Sequence, residues 1–205
     1  MIWLMTHLKR LAVVFAFVGA SLSPAQAIEP GEAEALAQEI ISEMLVFIDS
    51  DRPLTEKIEE FRLLINVRAD MPAIARFSLG IAWREASEAE RDAYLDVFDD
   101  YIATKYGRQF TRFDGQVMTV TGSLDAGRRG TVVLTEFDQN DGSEPVRVDW
   151  LFNDRSGSAR IVDIVVEGVS LLSSERQEIA ARLDEVGGDI DRLVELLPEL
   201  VQLEG

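Results

Sequence analysis

Residues 145–152 read "PVRVDWLF". Val148, Trp150 and Phe152 fall on one side of this run, and Arg147 and Asp149 on the other. Successive side chains of a strand point to opposite faces, so this alternation marks a strand with one buried face. Outward from it, "GQVMTVTG" (115–122), "GTVVLTEF" (130–137) and "ARIVDIVVEGVSL" (159–171) have the same character. The links "DAGRRG", "DQNDGS" and "NDRSGS" are rich in turn formers. Four strands on short turns predict an antiparallel meander. On the second strand the more apolar pair, Val132 and Leu134, is expected inward; a one-residue slip would exchange it for Thr131 and Val133.

The chain before the meander has helical periodicity. Leu36, Ile40, Met44 and Phe47 keep 3–4 spacing over about 30–50, with Pro30 suited to the first turn. Leu54, Ile58, Phe61 and Ile65 do the same over about 54–68. Asp70 is placed to cap a third helix that Gly80 ends. In "SLGIAWREASEAERDAYLDVF" (78–98), Ser87 and Glu90 form a capping box. The helix they start runs to about Tyr106, with Gly107 as its stop. Tyr94, Leu95, Phe98, Tyr101 and Ile102 share one stripe, and Asp92, Asp96, Asp99 and Asp100 the solvated side. After the strands, Ser174 and Gln177 predict a second capping box, and Asp189 a last helix that Pro198 breaks. The fold class is α+β: helices packed on one face of a curved antiparallel sheet of four strands or slightly more. It is helical over about 30–107, sheet over about 115–171 and helical again over about 174–197.

The N-terminus is read separately. Lys9 and Arg10 precede a short apolar run, Leu11 to Leu22, followed by Pro24 and "AQA" (25–27). This is the pattern of a cleavable signal peptide, residues 1–27, and the run is shorter than the roughly 20 residues of a membrane span. Residues 28–205 then form a single mature domain. Cleavage would take the formal net charge from −17 to −19 and remove His7, the only histidine.

The chain has no cysteine. Acylation at a lipobox and disulfides are therefore excluded, and stability must come from a core. Without His or Cys the usual zinc ligand sets and Ser-His-Asp or Cys-His nucleophile systems are missing. Such acidity opposes binding to nucleic acid and adhesion to anionic lipid surfaces. No cofactor is implied. "DQNDG" (138–142) resembles the start of a calcium loop, but Gly142 falls at a ligand position, and a hairpin turn fits better. Asp163 and Glu167 lie on one side of a strand, roughly 13 Å apart at the usual rise. That is wide for paired acid–base chemistry. Each is expected to meet an arginine, such as Arg91 or Arg176, and to fix helix to sheet as a structural ion pair. Trp83, Phe98 and Trp150, taken singly, read as core.

The ordered set Leu79-Gly80, Trp83, Ser87, Arg91, Phe98, Tyr106, Thr135 in "VVLTEF", "DIVVEGVSLL" (163–172) and Arg176 resembles the MlaC family of periplasmic phospholipid-binding proteins, also called the toluene-tolerance auxiliary family. The likeness runs from about residue 35 to 197. It departs at "ARIVDI" (159–164), where the family has Trp-Lys-Val-Tyr-Asp-Val, so that Ala159 and Val162 replace a Trp and a Tyr. It departs again at Ser174-Glu175-Arg176, where the family has Asn-Tyr-Arg.

The resemblance implies a periplasmic carrier without a reaction or cofactor. It would bind phospholipid acyl chains in an apolar cavity between sheet and helices. Its partners would be an inner-membrane ABC-type lipid transporter complex and an outer-membrane lipoprotein complex, and its role the maintenance of outer-membrane lipid asymmetry. The helices would contribute Phe77, Trp83, Phe98, Tyr101 and Ile102 to the wall. The strands and the segment after them would contribute Val132, Leu134, Val148, Trp150, Ile164, Val166 and Leu171. Two other readings stay open: a small-ligand enzyme on an NTF2-like cone fold, which the missing His and Cys oppose, and a non-catalytic periplasmic adaptor with a filled core. For the leader, N-terminal sequencing of the exported protein should start at Ile28; a protein that retains Met1 would refute the cleavage.

Overall fold

The computed structural model describes residues 28–112 and 115–203; the expected signal peptide lies outside them. Five helices come first: α1 (Pro30–Ile48), α2 (Leu54–Arg68), α3 (Met71–Leu79), α4 (Ala82–Glu85) and α5 (Glu88–Gly107). The sheet comes next: β1 (Val117–Asp125), β2 (Thr131–Asp138), β3 (Val146–Asn153), β4 (Arg160–Val166) and the two-residue β5 (Val169–Ser170). α6 (Leu171–Glu185) and α7 (Ile190–Leu203) close the chain. The strands pair antiparallel in the order β1-β2-β3-β4-β5, an open curved meander. Among the described residues no helix is long and apolar enough to cross a membrane.

Local signals set most boundaries. Asp70 accepts the Ala73 N–H at 3.2 Å and starts α3. Ser87 and Glu90 close the capping box of α5 with bonds of 3.2 and 2.7 Å, satisfying two of the free N–H groups of its first turn. The expected wall aromatics Phe98 and Tyr101 are both fully buried, with Tyr94, where α5 meets the rest of the core. The Tyr94 and Phe98 ring centroids stand 5.4 Å apart and those of Phe98 and Tyr101 6.2 Å, both in tilted contact.

Three expectations need correction. β2 turns Thr131, Val133 and Thr135 to the helices, all fully buried, and turns Val132 and Leu134 outward, each half-buried. The register settles it: Val133 pairs with Trp150 and Thr135 with Val148, both inward, whereas Leu134 pairs with Asp149. Two threonines can face a core because their hydroxyls are satisfied: Thr131 donates to the Ile28 carbonyl at 2.6 Å and Thr135 to that of Val148 at 2.5 Å. α6 starts at Leu171, capped by Ser170 rather than Ser174, because the hairpin into β5 ends there. α7 continues through Pro198 to Leu203. α5 ends at Gly107, as expected; a Cβ there would stand 2.8 Å from Ile58 Cγ1, so its smallness also lets α2 approach α5.

The expected ion pairs among Arg91, Arg176, Asp163 and Glu167 are also replaced. Arg91 donates to the carbonyls of Trp83 at 2.9 Å and Arg84 at 3.3 Å, closing the end of α4. Arg176 donates to the Phe77 carbonyl at 3.2 Å near the end of α3, with its guanidinium 4.9 Å over the Phe77 ring. Free carbonyls at a helix C-terminus attract cationic donors, and these two arginines answer that demand. Asp163 accepts from Ser170 Oγ at 2.7 Å and the Leu172 N–H at 3.1 Å, holding the start of α6 to β4. Glu167 sits with Gly168 in the two-residue β4–β5 turn, both at positive φ (50° and 82°), as a type I′ hairpin requires, and its carboxylate accepts the Arg147 N–H.

The turn from β1 to β2 depends on Gly130. Its φ is 122°, and a Cβ there would lie inside contact distance of the Phe152 carbonyl. Strain and overlap each cost about 1–3 kcal/mol. Gly130→Ala should therefore lower stability by about 3 kcal/mol in urea unfolding; a change below about 1 kcal/mol would show that the turn relaxes freely.

Candidate functional site

Between the sheet and α1, α2, α3, α5 and α6 lies a cavity of about 290 Å³. Met44, Phe61, Leu64 and Ile65 form one side, Met71 and Ile74 an end, and Met118, Val148, Trp150, Ile161 and Ile164 the floor. An apolar cavity of about 150 Å³ stays dry and takes benzene, so this one has room for a larger apolar guest. Trp150 belongs in such a wall because its indole N–H is spent on Thr135 Oγ1 at 3.1 Å.

Of the wall residues expected from the sequence, Ile102, Val148, Trp150, Ile164 and Leu171 line this cavity. Phe98 and Tyr101 belong to the solid core and are not among its lining residues. Val166 packs half-buried at the edge of the same core. Val132 and Leu134 lie across the sheet. Phe77 and Trp83 line a second cleft of about 970 Å³ beside the first.

The side that sequence reasoning missed is mainly α2. It has no fully buried residue. Phe61 and Ile65 were visible in a periodic stripe and Leu64 was not part of it, but periodicity does not separate a face on a core from a face on a cavity. α2 is held at its edges instead. Ala69, just past its end, bridges Ile161 of β4, and Asp70 donates its N–H to the Ile161 carbonyl at 2.9 Å. Arg160 donates to the carbonyls of Asn66 at 3.1 Å and Ala69 at 3.3 Å. Arg68, at the cavity rim, ties α2 to α1 through Glu39 at 2.7 Å and a two-pronged pair with Glu43. The hydrogen bond to Glu43 keeps its guanidinium above the usual arginine range against the effect of burial.

The polar end of the cavity is organised by Lys105. Its ammonium lies 2.6 Å from Glu175 Oε1, 2.7 Å from Glu178 Oε2 and 3.1 Å from Tyr101 Oη, and Tyr106 donates to Glu175 Oε1 at 2.6 Å. Glu175 is 3 % exposed, and both it and Tyr106 line the cavity. Burial works to lower the Lys105 pKa, but the hydrogen bonds to the two carboxylates raise it further. Burial likewise works to raise that of Glu178, and Lys105 brings it down. Burial first, and Glu175 second, push the Tyr106 phenol well above its usual range, so it stays a donor.

A family model described as MlaC protein matches residues 38–199. The chain belongs to the MlaC family. The intermembrane phospholipid transport system binding protein MlaC of Haemophilus influenzae is 24% identical over 119 residues, 57% of this chain and 55% of that protein. The chain thus spans about half the length of the curated relative it matches. A solved structure, the phospholipid-binding protein from Ralstonia solanacearum in complex with a phospholipid, superimposes with a TM-score of 0.71 at 20% identity, covering 83% of this chain and 97% of that one. At that identity the likeness shows the fold.

Glu175 is a buried carboxylate, and Lys105 and Tyr106 are the groups that hold it. Removing the partner of a buried charge costs about 3–5 kcal/mol, whereas replacing the whole pair by apolar groups is often neutral. Lys105→Met should thus lose about 3–5 kcal/mol in urea unfolding, and Lys105→Met with Glu175→Leu should recover most of it. Equal losses in the single and double variants would contradict this role for Lys105.

Proposed function

We propose that the mature chain is a periplasmic carrier that holds the acyl chains of a phospholipid in this cavity and performs no chemical step. It moves lipid between an inner-membrane ABC-type transporter complex and an outer-membrane lipoprotein complex, and so maintains outer-membrane asymmetry. The observation that carries this reading is the cavity itself, apolar along its helices and its floor and framed at its edges by ion pairs. Exposing two acyl chains of about 15 methylenes each costs roughly 24 kcal/mol at about 0.8 kcal/mol per CH₂. A carrier must offset most of that with apolar wall. Membership of the family and the relatives' names support the ligand class. The export pattern of residues 1–27 and a net charge of −19 after cleavage favour a shuttle that leaves anionic bilayers readily.

The absence of catalysis is supported by what the carboxylates do. Asp163 spends both oxygens on Ser170 and Leu172, and Glu167 serves a turn. Organic extraction of native protein followed by lipid mass spectrometry tests the reading. Val148→Glu places an unpaired charge on the cavity floor, which is costly beside lipid chains, and should cut co-purified phospholipid by about tenfold or more. Leu134→Glu, on the outward face of the same sheet, should leave it unchanged. Wild-type extracts free of phospholipid, or equal loss from both variants, would refute it.

A further inference from the structure

The second cleft differs in character from the rest of the molecule. Arg76, Arg84, Arg129, Arg155 and Arg176 line it, with Asp70 as the one carboxylate among its described residues. They come from five separate places: α3, α4, the turn after β1, the turn after β3, and α6. Acidic residues outnumber basic ones 37 to 20 in this chain. Ion pairs are accordingly common elsewhere, at Arg52, Arg62, Arg68, Lys105, Arg147 and Arg182. None of the five cleft arginines is in one among the described residues. The Asp70 carboxylate faces the start of α3, where it accepts the Ala73 N–H.

Bringing five like charges to one cleft is unfavourable unless an anion offsets it. Guanidinium groups match phosphate in geometry, with paired N–H donors. Two of the five are anchored, Arg176 on the Phe77 carbonyl and Arg155 on that of Arg128. The cleft also adjoins the apolar cavity: Ile74, Val162 and Leu172 line both. An amphiphile with chains in the cavity would therefore have its phosphate within the reach of this cleft.

We propose that the arginine cleft is a phosphate-recognition site that seats the headgroup of an anionic phospholipid whose chains occupy the adjoining cavity, a proposal that rests on the carrier reading above. It gives the carrier a preference for lipids of net negative charge over zwitterionic ones.

The test incubates the purified protein with vesicles of equal parts phosphatidylglycerol and phosphatidylcholine, reisolates it and measures both lipids in its extract. Wild type should be enriched in phosphatidylglycerol by about tenfold, falling as salt is raised. Arg76→Gln with Arg129→Gln and Arg155→Gln should bring the ratio back to that of the vesicles, with the circular dichroism spectrum still that of wild type. Arg129→Gln alone, in an exposed turn, should give a partial drop and guards against misfolding of the triple variant. Inorganic phosphate, against chloride at equal ionic strength, should compete for the enrichment. No wild-type enrichment, or the same enrichment in the variants, would overturn the proposal. So would phosphate binding by calorimetry that the variants lose without any change in lipid ratio, which marks a free-anion site. Loss of vesicle co-sedimentation at an unchanged extracted ratio would mark a membrane-docking surface and overturn it too. Absence of any lipid from wild type would instead defeat the carrier reading.

Discussion

Holding an apolar void open is the constraint on which the rest of this architecture depends. Walls set around about 290 Å³ of apolar space forgo the contacts they would make with one another if they closed. Apolar walls left to themselves close up to recover those contacts. Here the walls are kept apart by directional polar bonds at their edges. Arg68 fastens α2 to α1, Lys105 fastens α5 to α6, and Asp163 fastens the start of α6 to β4. Each bond has a fixed length and partner, so each sets a spacing that hydrophobic contact alone would not.

The helix ends serve the same purpose. Short helices around a cavity have many free terminal carbonyls for the apolar area they bury, and those carbonyls need donors. Arg160 serves α2, Arg176 serves α3 and Arg91 serves α4. In each case the donor comes from another part of the chain, so closing a helix end also joins two elements. This explains how α2 forms a wall with no fully buried residue of its own: its position is set by what holds its end and flanks.

Most of the architecture was legible because it is written in local chemistry. Asp70, Ser87 with Glu90, and the turn clusters between strands mark their boundaries within a few residues of one another. What was not legible depends on partners distant in sequence. Val132 and Leu134 are more apolar than Thr131 and Thr135, so alternation pointed to the wrong face. The threonines are buried because Ile28 and Val148 offer carbonyls, and Ile28 is 103 residues away from Thr131. Arg91 and Arg176 were matched with carboxylates on charge alone, whereas helix-end carbonyls compete for the same donors and won. Pro198 was read as a break, yet α7 runs on past it. Of the residues expected in the wall, Val148 and Trp150 on β3 and Ile164 on β4 line the cavity, Ile161 lines it without having been expected, and α2 was missed because the pattern for facing a cavity is the pattern for facing a core.

The distribution of charge reflects the same division of labour. Carboxylates have an easy place on solvated faces such as those of α1, α2 and α5, where water screens their repulsion. Basic side chains are fewer and are drawn to three kinds of place: carboxylates at wall edges, carbonyls at helix ends, and the cleft beside the cavity. The first two are accounted for by groups within the chain. The third is not, since the cleft contributes a single carboxylate and that one faces a helix start. A chain with acids to spare that leaves five arginines together without them has kept positive charge accessible at one place, next to its apolar cavity. An amphiphilic anion has that same arrangement, with its charge at one end and its apolar chains at the other.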